Sequence, residues 1–276
     1  MDLSLDQIKT IKSKIDHGYR DMDIAQTIEY FRKFFVETCP IPSDQLKDVT
    51  IGDFGCGYGW LALAFALHTD AQIIAMDIDE GRVNAARELA DYFGVSDKIE
   101  FRTGSLMELP FKELEVDVGY TIEALEHIGA DERAFSELTR VCNRYLVATT
   151  PNKWFPLIAH DTRLPFCHWL PMPLRDIYAK LCGQMEKQHG NYFWSELDLK
   201  RGLAGFERAP SFMQFPDAAS YLGQYPTYLP YNGGEVRQIG RLKRIYMTWA
   251  SRVLGRHVSY ALPNLSGIWQ RRQSER

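Results

Sequence analysis

Apolar residues near the amino terminus recur every three or four positions, which is the spacing of amphipathic helices. The positions are Leu5, Ile8, Ile11, Ile15, Ile24, Ile28, Phe31 and Phe35. The pattern predicts two helices that break near His17 and Gly18. Because Pro40 and Pro42 then interrupt the periodicity, we expect residues 1–48 to form an N-terminal helical cap, separate from the rest of the chain.

From residue 49 onward, short β-prone runs alternate with helical runs. Strands are predicted at Val49–Phe54, Gln72–Ile78, Ile99–Thr103, Val116–Ile122 and Tyr145–Thr150, and helices at Leu61–His68, Glu80–Phe93 and Asp131–Val141. Two further strands are predicted at Phe206–Met213 and Tyr260–Trp269. The alternation predicts an α/β fold with a doubly wound, mostly parallel, seven-stranded sheet and helices on both faces.

Composition excludes several functional classes without choosing among the rest. The chain has 276 residues, 45% hydrophobic residues and a net charge of -4, so it lacks the excess of positive charge typical of nucleic-acid binding. Its five cysteines are scattered without a CxxC pair, which argues against a disulfide framework and against a metal site. No segment has the ~20 apolar residues of a membrane-spanning helix, and the first residues lack the apolar run of a signal peptide. We therefore expect a cytoplasmic protein.

A glycine-rich turn follows the first predicted strand. Gly55, Gly57 and Gly59 occupy alternate positions, and Asp53 comes just before them. Glycine lets the backbone approach a ligand closely, and the amides at the start of the next helix face the same place. A nucleotide-phosphate loop is the alternative interpretation, but a carboxylate would repel a diphosphate.

This Asp-Phe-Gly-Cys-Gly-Tyr-Gly segment resembles the first motif of the class I S-adenosylmethionine-dependent methyltransferases. The resemblance implies a Rossmann-like fold with S-adenosyl-L-methionine as cofactor and S-adenosyl-L-homocysteine as product. It also implies that Asp53 faces the methionine end of the cofactor and that the three glycines form the floor of its site.

The second predicted strand ends in two acids. A carboxylate at the carboxyl end of such a strand can accept hydrogen bonds from both hydroxyls of a ribose, and we assign this role to Asp77. The rival, Asp79, is better suited to cap the helix that begins at Glu80. By the resemblance, Ile78 packs against adenine. Tyr58 and Tyr120 are candidates to face the cationic sulfur, although core packing accounts equally well for Tyr120.

Two later segments extend the resemblance to residues 49–152. Gly104, Ser105 and Leu106 lie in the loop that lines adenine in the family, which usually carries Asp where this chain has Ser105. A hydroxyl accepts more weakly than a carboxylate, so the Ser105 assignment is weaker than that of Asp77. The Tyr-Thr-Ile-Glu-Ala-Leu-Glu-His-Ile stretch, residues 120–128, resembles the fourth motif of a subgroup that ends in Glu-His-Ile.

Two histidines are candidate catalytic bases. Methyl transfer to a hydroxyl requires the hydroxyl proton to leave, and histidine titrates near the pH at which enzymes work. His127 follows the fourth strand, where it could instead begin a helix and bond to backbone. His160 follows the fifth strand, with Asp161 as a potential orienting partner.

Two insertions into the methyltransferase domain, residues 49–276, bear on the acceptor. Residues 153–194 are rich in aromatic side chains and predict a substrate cap, unless the rings only pack this segment onto the sheet. The second insertion, residues 217–256, contains a basic amphipathic helix at 237–256 that either docks on its own domain or lies on an anionic membrane surface.

The sequence as a whole predicts a methyltransferase that acts on a small, apolar or lipid-like acceptor, most simply by O-methylation. Peripheral contact with the inner membrane surface would give access to such a molecule. One alternative is an RNA or protein methyltransferase, against which the lack of a basic face on the core argues. Another is a non-catalytic subunit that binds the cofactor and regulates a partner. The sequence leaves the oligomeric state open.

Overall fold

A seven-stranded sheet forms the centre of the computed structural model, which describes residues 9–10, 12–13, 23–156, 164–184, 191–209 and 240–272. The strands are β1 (Thr50–Phe54), β2 (Gln72–Asp77), β3 (Ile99–Thr103), β4 (Val116–Ile122), β5 (Cys142–Pro151), β6 (Phe206–Arg208) and β7 (Asn264–Arg271). Their order across the sheet is β3-β2-β1-β4-β5-β7-β6. Strands β1 to β5 pair in parallel, and β7 runs antiparallel to both β5 and β6. The predicted α/β fold with a mostly parallel sheet is confirmed.

Helices cover both faces of this sheet. The α-helices whose bounds the structure describes are α1 (Ile24–Phe31), α2 (Trp60–His68), α3 (Glu80–Phe93), α4 (Arg133–Val141), α5 (Met172–Leu181), α6 (Glu196–Gly202) and α7 (Arg241–Leu254). Side chains of α1, α2, α3 and α7 belong to one hydrophobic core, and those of α4 and α6 to a second core on the opposite face. Helices on both faces are the layer arrangement of doubly wound folds.

Local sequence signals set the bounds of α3 where the sequence predicts them. Asp79 caps its start by accepting a hydrogen bond from the Arg82 amide at 3.1 Å. Gly94 ends it in a left-handed conformation with φ of 66°. Both devices satisfy backbone groups that have no partner within the helix, so the element begins and ends where they stand.

Two strands, β5 and β7, begin at other residues than the sequence predicts, because neighbouring elements set their first residues. β5 begins at Cys142, directly after α4, because its first residue pairs with Val116 of β4. β7 begins at Asn264, since residues 255–261 form a 3₁₀ helix instead. The first predicted N-terminal helix and the strand residues beyond 209 lie outside the residues that the structure describes. No helix in the described part of the chain is long and apolar enough to cross a membrane.

Candidate active site

A cavity of about 530 Å³ lies at the carboxyl ends of β1, β2 and β4. In the strand order of this sheet, the chain winds in one direction from β1 to β3 and in the other from β4 onward. Doubly wound sheets bind their ligands in the crevice at such a reversal. The cavity therefore occupies the place where this fold forms a ligand site.

The glycine turn after β1 forms one wall of the cavity. Gly55, Gly57 and Gly59 all have positive φ, at 81°, 54° and 74°, a conformation that costs a residue with a side chain free energy. The amides of Gly55 and Cys56 both donate to the carbonyl of Met76 at 2.8 Å, which ties the turn to β2. In the part of the chain that the structure describes, no heavy atom beyond its chain neighbours lies within 4 Å of the position that a Cβ at Gly57 would occupy. The turn is thus fixed in place and open toward the cavity.

Asp77 connects the two strands at the cavity. Its Oδ2 accepts from the amide of Gly57 at 2.8 Å, and its Oδ1 accepts from the amide of Asp79 at 3.0 Å. The side chain of Asp79 caps α3, as the sequence predicts. Each oxygen of Asp77 retains a second lone pair, since a carboxylate offers about four acceptor positions.

Asp53 is the most deeply placed acid of the cavity. The side chain is 3% exposed, and the described residues give its Oδ2 no hydrogen-bond partner. Burial raises its pKa from 3.8 to about 7, the backbone amide of Ala62 opposes this shift, and the charge of Asp77 adds to it. A buried carboxyl with a vacant oxygen is suited to a cationic ligand group, which would restore the ionised form.

The residues that the sequence predicts to contact adenine form the opposite wall of the cavity. Ile78 is 73% exposed and lines the cavity together with Gly104, Ser105 and Leu106. The amide of Gly104 donates to the carbonyl of Asp77 at 3.0 Å, which attaches this loop to β2. The hydroxyl of Ser105 accepts from the amide of Met107 at 3.1 Å, so this side chain also shapes its own loop.

Tyr120 does not line the cavity, and its predicted contact with the sulfur is wrong. The side chain is fully buried, its ring packs against Phe35 and Phe65, and its hydroxyl donates to the carbonyl of Phe35 at 3.4 Å. Successive residues of a strand point to opposite faces, and Tyr120 points to the face that α2 and the turn after α1 cover. Burial also raises the pKa of the Tyr120 hydroxyl well above its usual value. Tyr58, in contrast, does line the cavity.

The structure describes one of the two candidate catalytic histidines. His127 is exposed at the cavity, within a single 3₁₀ turn that spans Leu125–Ile128, and its own amide donates to the carbonyl of Ala124 at 3.1 Å. His160 and Asp161 lie outside the described residues, so their roles stay predictions.

Sequence reasoning missed several residues that line the cavity. Phe31 reaches it from α1, and Trp60 from the start of α2. The apolar stripe of the N-terminal helix contains Phe31, but nothing in the sequence pattern says where that helix docks. Glu123 also lines the cavity, directly after β4. The sequence signal that could have identified Glu123 is an acidic residue at the carboxyl end of a central strand.

Glu123 belongs to a pair of carboxyl groups. Its Oε1 accepts from the hydroxyl of Thr149 at 3.1 Å and from the side-chain amide of Asn264 at 2.9 Å. Glu126 is fully buried, and its Oε2 accepts from the hydroxyl of Thr150 at 3.2 Å. Burial, followed by the adjacent charge of Glu123, raises the pKa of Glu126 well above its usual value.

The aromatic residues of the predicted substrate cap divide into two groups. Phe155, Phe193 and Trp194 are buried, and the indole N–H of Trp194 donates to the carbonyl of Leu125 at 2.8 Å. Trp154, Phe166 and Trp169 are exposed and contact one another edge-on or tilted. Within the described part of this insertion, no residue lines the cavity. Phe155 and Trp194 therefore pack the ends of the insertion onto the domain, whereas Phe193 packs within the insertion. The role of this segment as a substrate cap stays a prediction.

Comparison with known sequences finds similarity in the central part of the chain. Residues 51–144 match the model of a methyltransferase domain. Over 92 residues the chain is 35% identical to the sterol 24-C-methyltransferase of Pneumocystis carinii (strain B80), a match that covers 33% of this chain and 24% of the relative. The chain thus spans about a quarter of the length of the sterol 24-C-methyltransferases that it matches.

Solved structures share the fold over a larger part of the chain. A sarcosine dimethylglycine methyltransferase from Galdieria sulphuraria, described as putative, aligns with a TM-score of 0.51 at 16% identity over 89% of this chain and 85% of that structure. A geranyl diphosphate C-methyltransferase from Streptomyces coelicolor A3(2), solved with S-adenosyl-L-homocysteine, aligns with a TM-score of 0.50 at 13% identity over 87% and 77%. Residues 51–144 are therefore similar to a methyltransferase domain, and most of the chain shares the fold of these two structures.

Proposed function

We propose that this protein is an S-adenosylmethionine-dependent methyltransferase that acts on a small, apolar or lipid-like molecule. The observation that supports it most is the cavity shared by Asp53, with its vacant buried oxygen, and Asp77, which closes β2. Two acids on one wall suit a ligand with a cationic group and a diol. The same pair would repel the diphosphate of a nicotinamide or flavin cofactor.

The residues of the cavity fit this cofactor part by part. Asp53 would pair with the ammonium of the methionine end, and Asp77 would accept hydrogen bonds from both ribose hydroxyls. Ile78 would cover adenine, with Ser105 at its polar edge. The cofactor supplies a methyl group made electrophilic by its bond to a sulfonium. The chain's own task is to align the acceptor and exclude water, for which the buried side chain of Phe31 is suited.

The relatives support an apolar acceptor. The sterol methyltransferase named above acts, by its name, on a lipid, and the apolar cavity residues Phe31, Leu106 and Ile128 are compatible with an acceptor of this kind. Within this class we favour transfer to oxygen, because acidic groups that can receive a hydroxyl proton stand at the cavity.

Contact with an anionic membrane surface is the second part of this proposal. Four apolar side chains of α7, namely Leu242, Ile245, Trp249 and Val253, are 56% to 71% exposed and follow one stripe of the helix. Arg241 and Arg252 border the stripe, and α7 contains no acid. The ring of Tyr246, also on α7, packs against Phe155 instead. An exposed apolar stripe with basic borders is suited to the interface of an anionic bilayer.

Two measurements test the enzymatic proposal. We expect calorimetric titration to detect S-adenosyl-L-homocysteine binding at micromolar strength, and we expect no binding of a nicotinamide dinucleotide. The protein should then transfer a radiolabelled methyl group from S-adenosylmethionine to the lipid-soluble fraction of a cell extract. Label in RNA or protein instead would favour the first alternative function, and binding without transfer to any fraction would favour a regulatory subunit. Failure to bind the product would overturn the proposal.

Vesicle sedimentation tests the membrane contact. The protein should sediment with vesicles that contain phosphatidylglycerol, and less with pure phosphatidylcholine or at high salt, because salt screens the arginines. Trp249→Ser should reduce the bound fraction. Leu197→Ser removes a side chain that is 64% exposed on α6 and is the matched control. Equal binding of the parent to both kinds of vesicle would refute the role of charge.

A further inference from the structure

A second cavity, of about 410 Å³, lies at the edge of the sheet where β6 pairs with β7. Residues of α6, β6 and β7 line it, together with Tyr260 of the 3₁₀ helix that precedes β7. Among the described residues, none lines both this cavity and the one at the glycine turn. A ligand can therefore occupy the second cavity independently of the proposed cofactor.

Basic side chains outnumber acidic ones at this cavity. Lys200, Arg208 and Arg272 line it, and Arg208 forms an ion pair with Glu196 at 3.2 Å. Within the described part of the chain, neither Lys200 nor Arg272 forms an ion pair. The one acid among the described lining residues, Glu207, alternates with Arg208 along β6, so its side chain points to the opposite face of the sheet. The cavity therefore has an excess of positive charge.

A buried hydrogen-bond donor lies beside these cations. Trp269 lines the cavity and is 2% exposed, and the described residues give its indole N–H no acceptor. Its Nε1 lies 3.4 Å from the position that a Cβ at Gly267 would occupy, and Nε of Arg208 lies 3.0 Å from the same position. Because Gly267 has no side chain, the indole and the guanidinium lie together on this face of the sheet. A buried N–H without an acceptor costs free energy, which a hydrogen bond to a ligand oxygen would recover.

The phenol ring of Tyr260 connects two of the cations. Nζ of Lys200 donates to the Tyr260 hydroxyl oxygen at 3.4 Å and lies 5.3 Å from the centre of the ring. The guanidinium carbon of Arg208 lies 5.6 Å from the same centre, and the ring of His257 stacks on that of Tyr260. Since the hydroxyl oxygen accepts from Lys200, the hydroxyl proton can be donated to an anion.

We infer that the second cavity binds a phosphate group. Lys200, Arg208 and Arg272 supply the positive charge, and Trp269 and Tyr260 are neutral donors. Every polar group in this set donates, and a phosphate offers more acceptor oxygens and more negative charge than a carboxylate does. Arginine also donates in a planar fork that matches the geometry of phosphate. The phosphate group belongs either to a soluble anion or to the headgroup of an anionic lipid. The inference does not depend on the proposed methyl transfer.

Phosphorus NMR of inorganic phosphate tests the soluble form. The protein should broaden the phosphate signal at low salt and less at high salt, because salt screens the cations. Lys200→Gln and Trp269→Phe should each weaken binding about tenfold or more, which corresponds to one hydrogen bond to a charged group. Lys200 is exposed, so its substitution leaves the core intact, whereas Trp269→Phe removes the N–H but keeps an aromatic ring. Lys47→Gln makes the same change as Lys200→Gln at an exposed position before β1 and is the matched control. Saturating S-adenosyl-L-homocysteine should not displace the phosphate.

Vesicle sedimentation tests the lipid form. Phosphatidylcholine vesicles that contain phosphatidic acid are the probe, and the chain carries Trp249→Ser to remove the contribution of α7. Binding that Lys200→Gln weakens and Lys47→Gln does not, in either assay, supports the inference and identifies the source of the phosphate group.

Three results overturn the inference. One is a parent that binds neither inorganic phosphate nor phosphatidic acid vesicles. The others are a Lys200→Gln variant, or a folded Trp269→Phe variant, that binds both probes as the parent does. Failure to bind S-adenosyl-L-homocysteine would refute the proposed function alone, because the two cavities share no described lining residue.

Discussion

The buried carboxyl of Asp53 makes the stability of the ligand-free protein depend on pH. Burial raises its pKa from 3.8 to about 7, so the folded chain keeps a proton that the unfolded chain has lost. Asp53→Asn removes the ionisable group but keeps the size of the side chain and an oxygen for the Ala62 amide. We expect this variant to be more stable than the parent above pH 7.

The sign and magnitude follow from the linkage of proton binding to folding. Between about pH 4 and pH 7 the folded chain binds one more proton than the unfolded chain, so the free energy of unfolding falls by about 1.4 kcal/mol for each pH unit. The interval from 3.8 to about 7 corresponds to a loss of ~4 kcal/mol, complete above pH 7 and absent below about pH 4. The asparagine variant lacks this contribution at every pH.

Urea denaturation across this pH range measures the effect. The difference in free energy of unfolding between Asp53→Asn and the parent should grow with pH and level off near pH 7. Asp48→Asn makes the same chemical change at an exposed position and should show no such trend. A constant difference between Asp53→Asn and the parent at all pH values would refute the reasoning. We also expect the stabilised variant to lose affinity for S-adenosyl-L-homocysteine, because the partner of its ammonium is gone.

Further predictions concern the rest of the cavity. Asp77→Ala removes the acceptor of two proposed charge-assisted hydrogen bonds from the ribose, each worth about 1.5–3 kcal/mol. Calorimetry should therefore find the affinity for S-adenosyl-L-homocysteine reduced about 100-fold or more, and unchanged affinity would refute the ribose assignment. Gly55→Ala places a Cβ 2.7 Å from that of Ala124 and should lower the free energy of unfolding by about 2 kcal/mol or more in urea, whereas Gly57→Ala should cost less. Tyr120→Phe should leave product affinity unchanged, and a loss of affinity would restore its predicted role.

Local sequence determined much of the fold and half of the site. The alternation of strands and helices, the glycine turn and the acid that ends β2 are all encoded within a few residues. The bounds of α3 follow from a cap at Asp79 and a glycine at Gly94. Such signals can be recognised in the sequence, because backbone conformation and hydrogen bonding to near neighbours are short-range effects.

Contacts between distant parts of the chain decided the rest. The packing of the N-terminal helix decides which face of β4 the side chain of Tyr120 occupies. It also decides that Phe31 closes the cavity. The network of Glu123 joins residues 141 positions apart, through Asn264 on β7. No periodicity carries that information, because β7 reaches β5 only when the sheet assembles. The sequence alone therefore locates the cavity wall that contains the glycine turn and Asp77, whereas packing of distant elements creates the wall that contains Phe31 and Glu123.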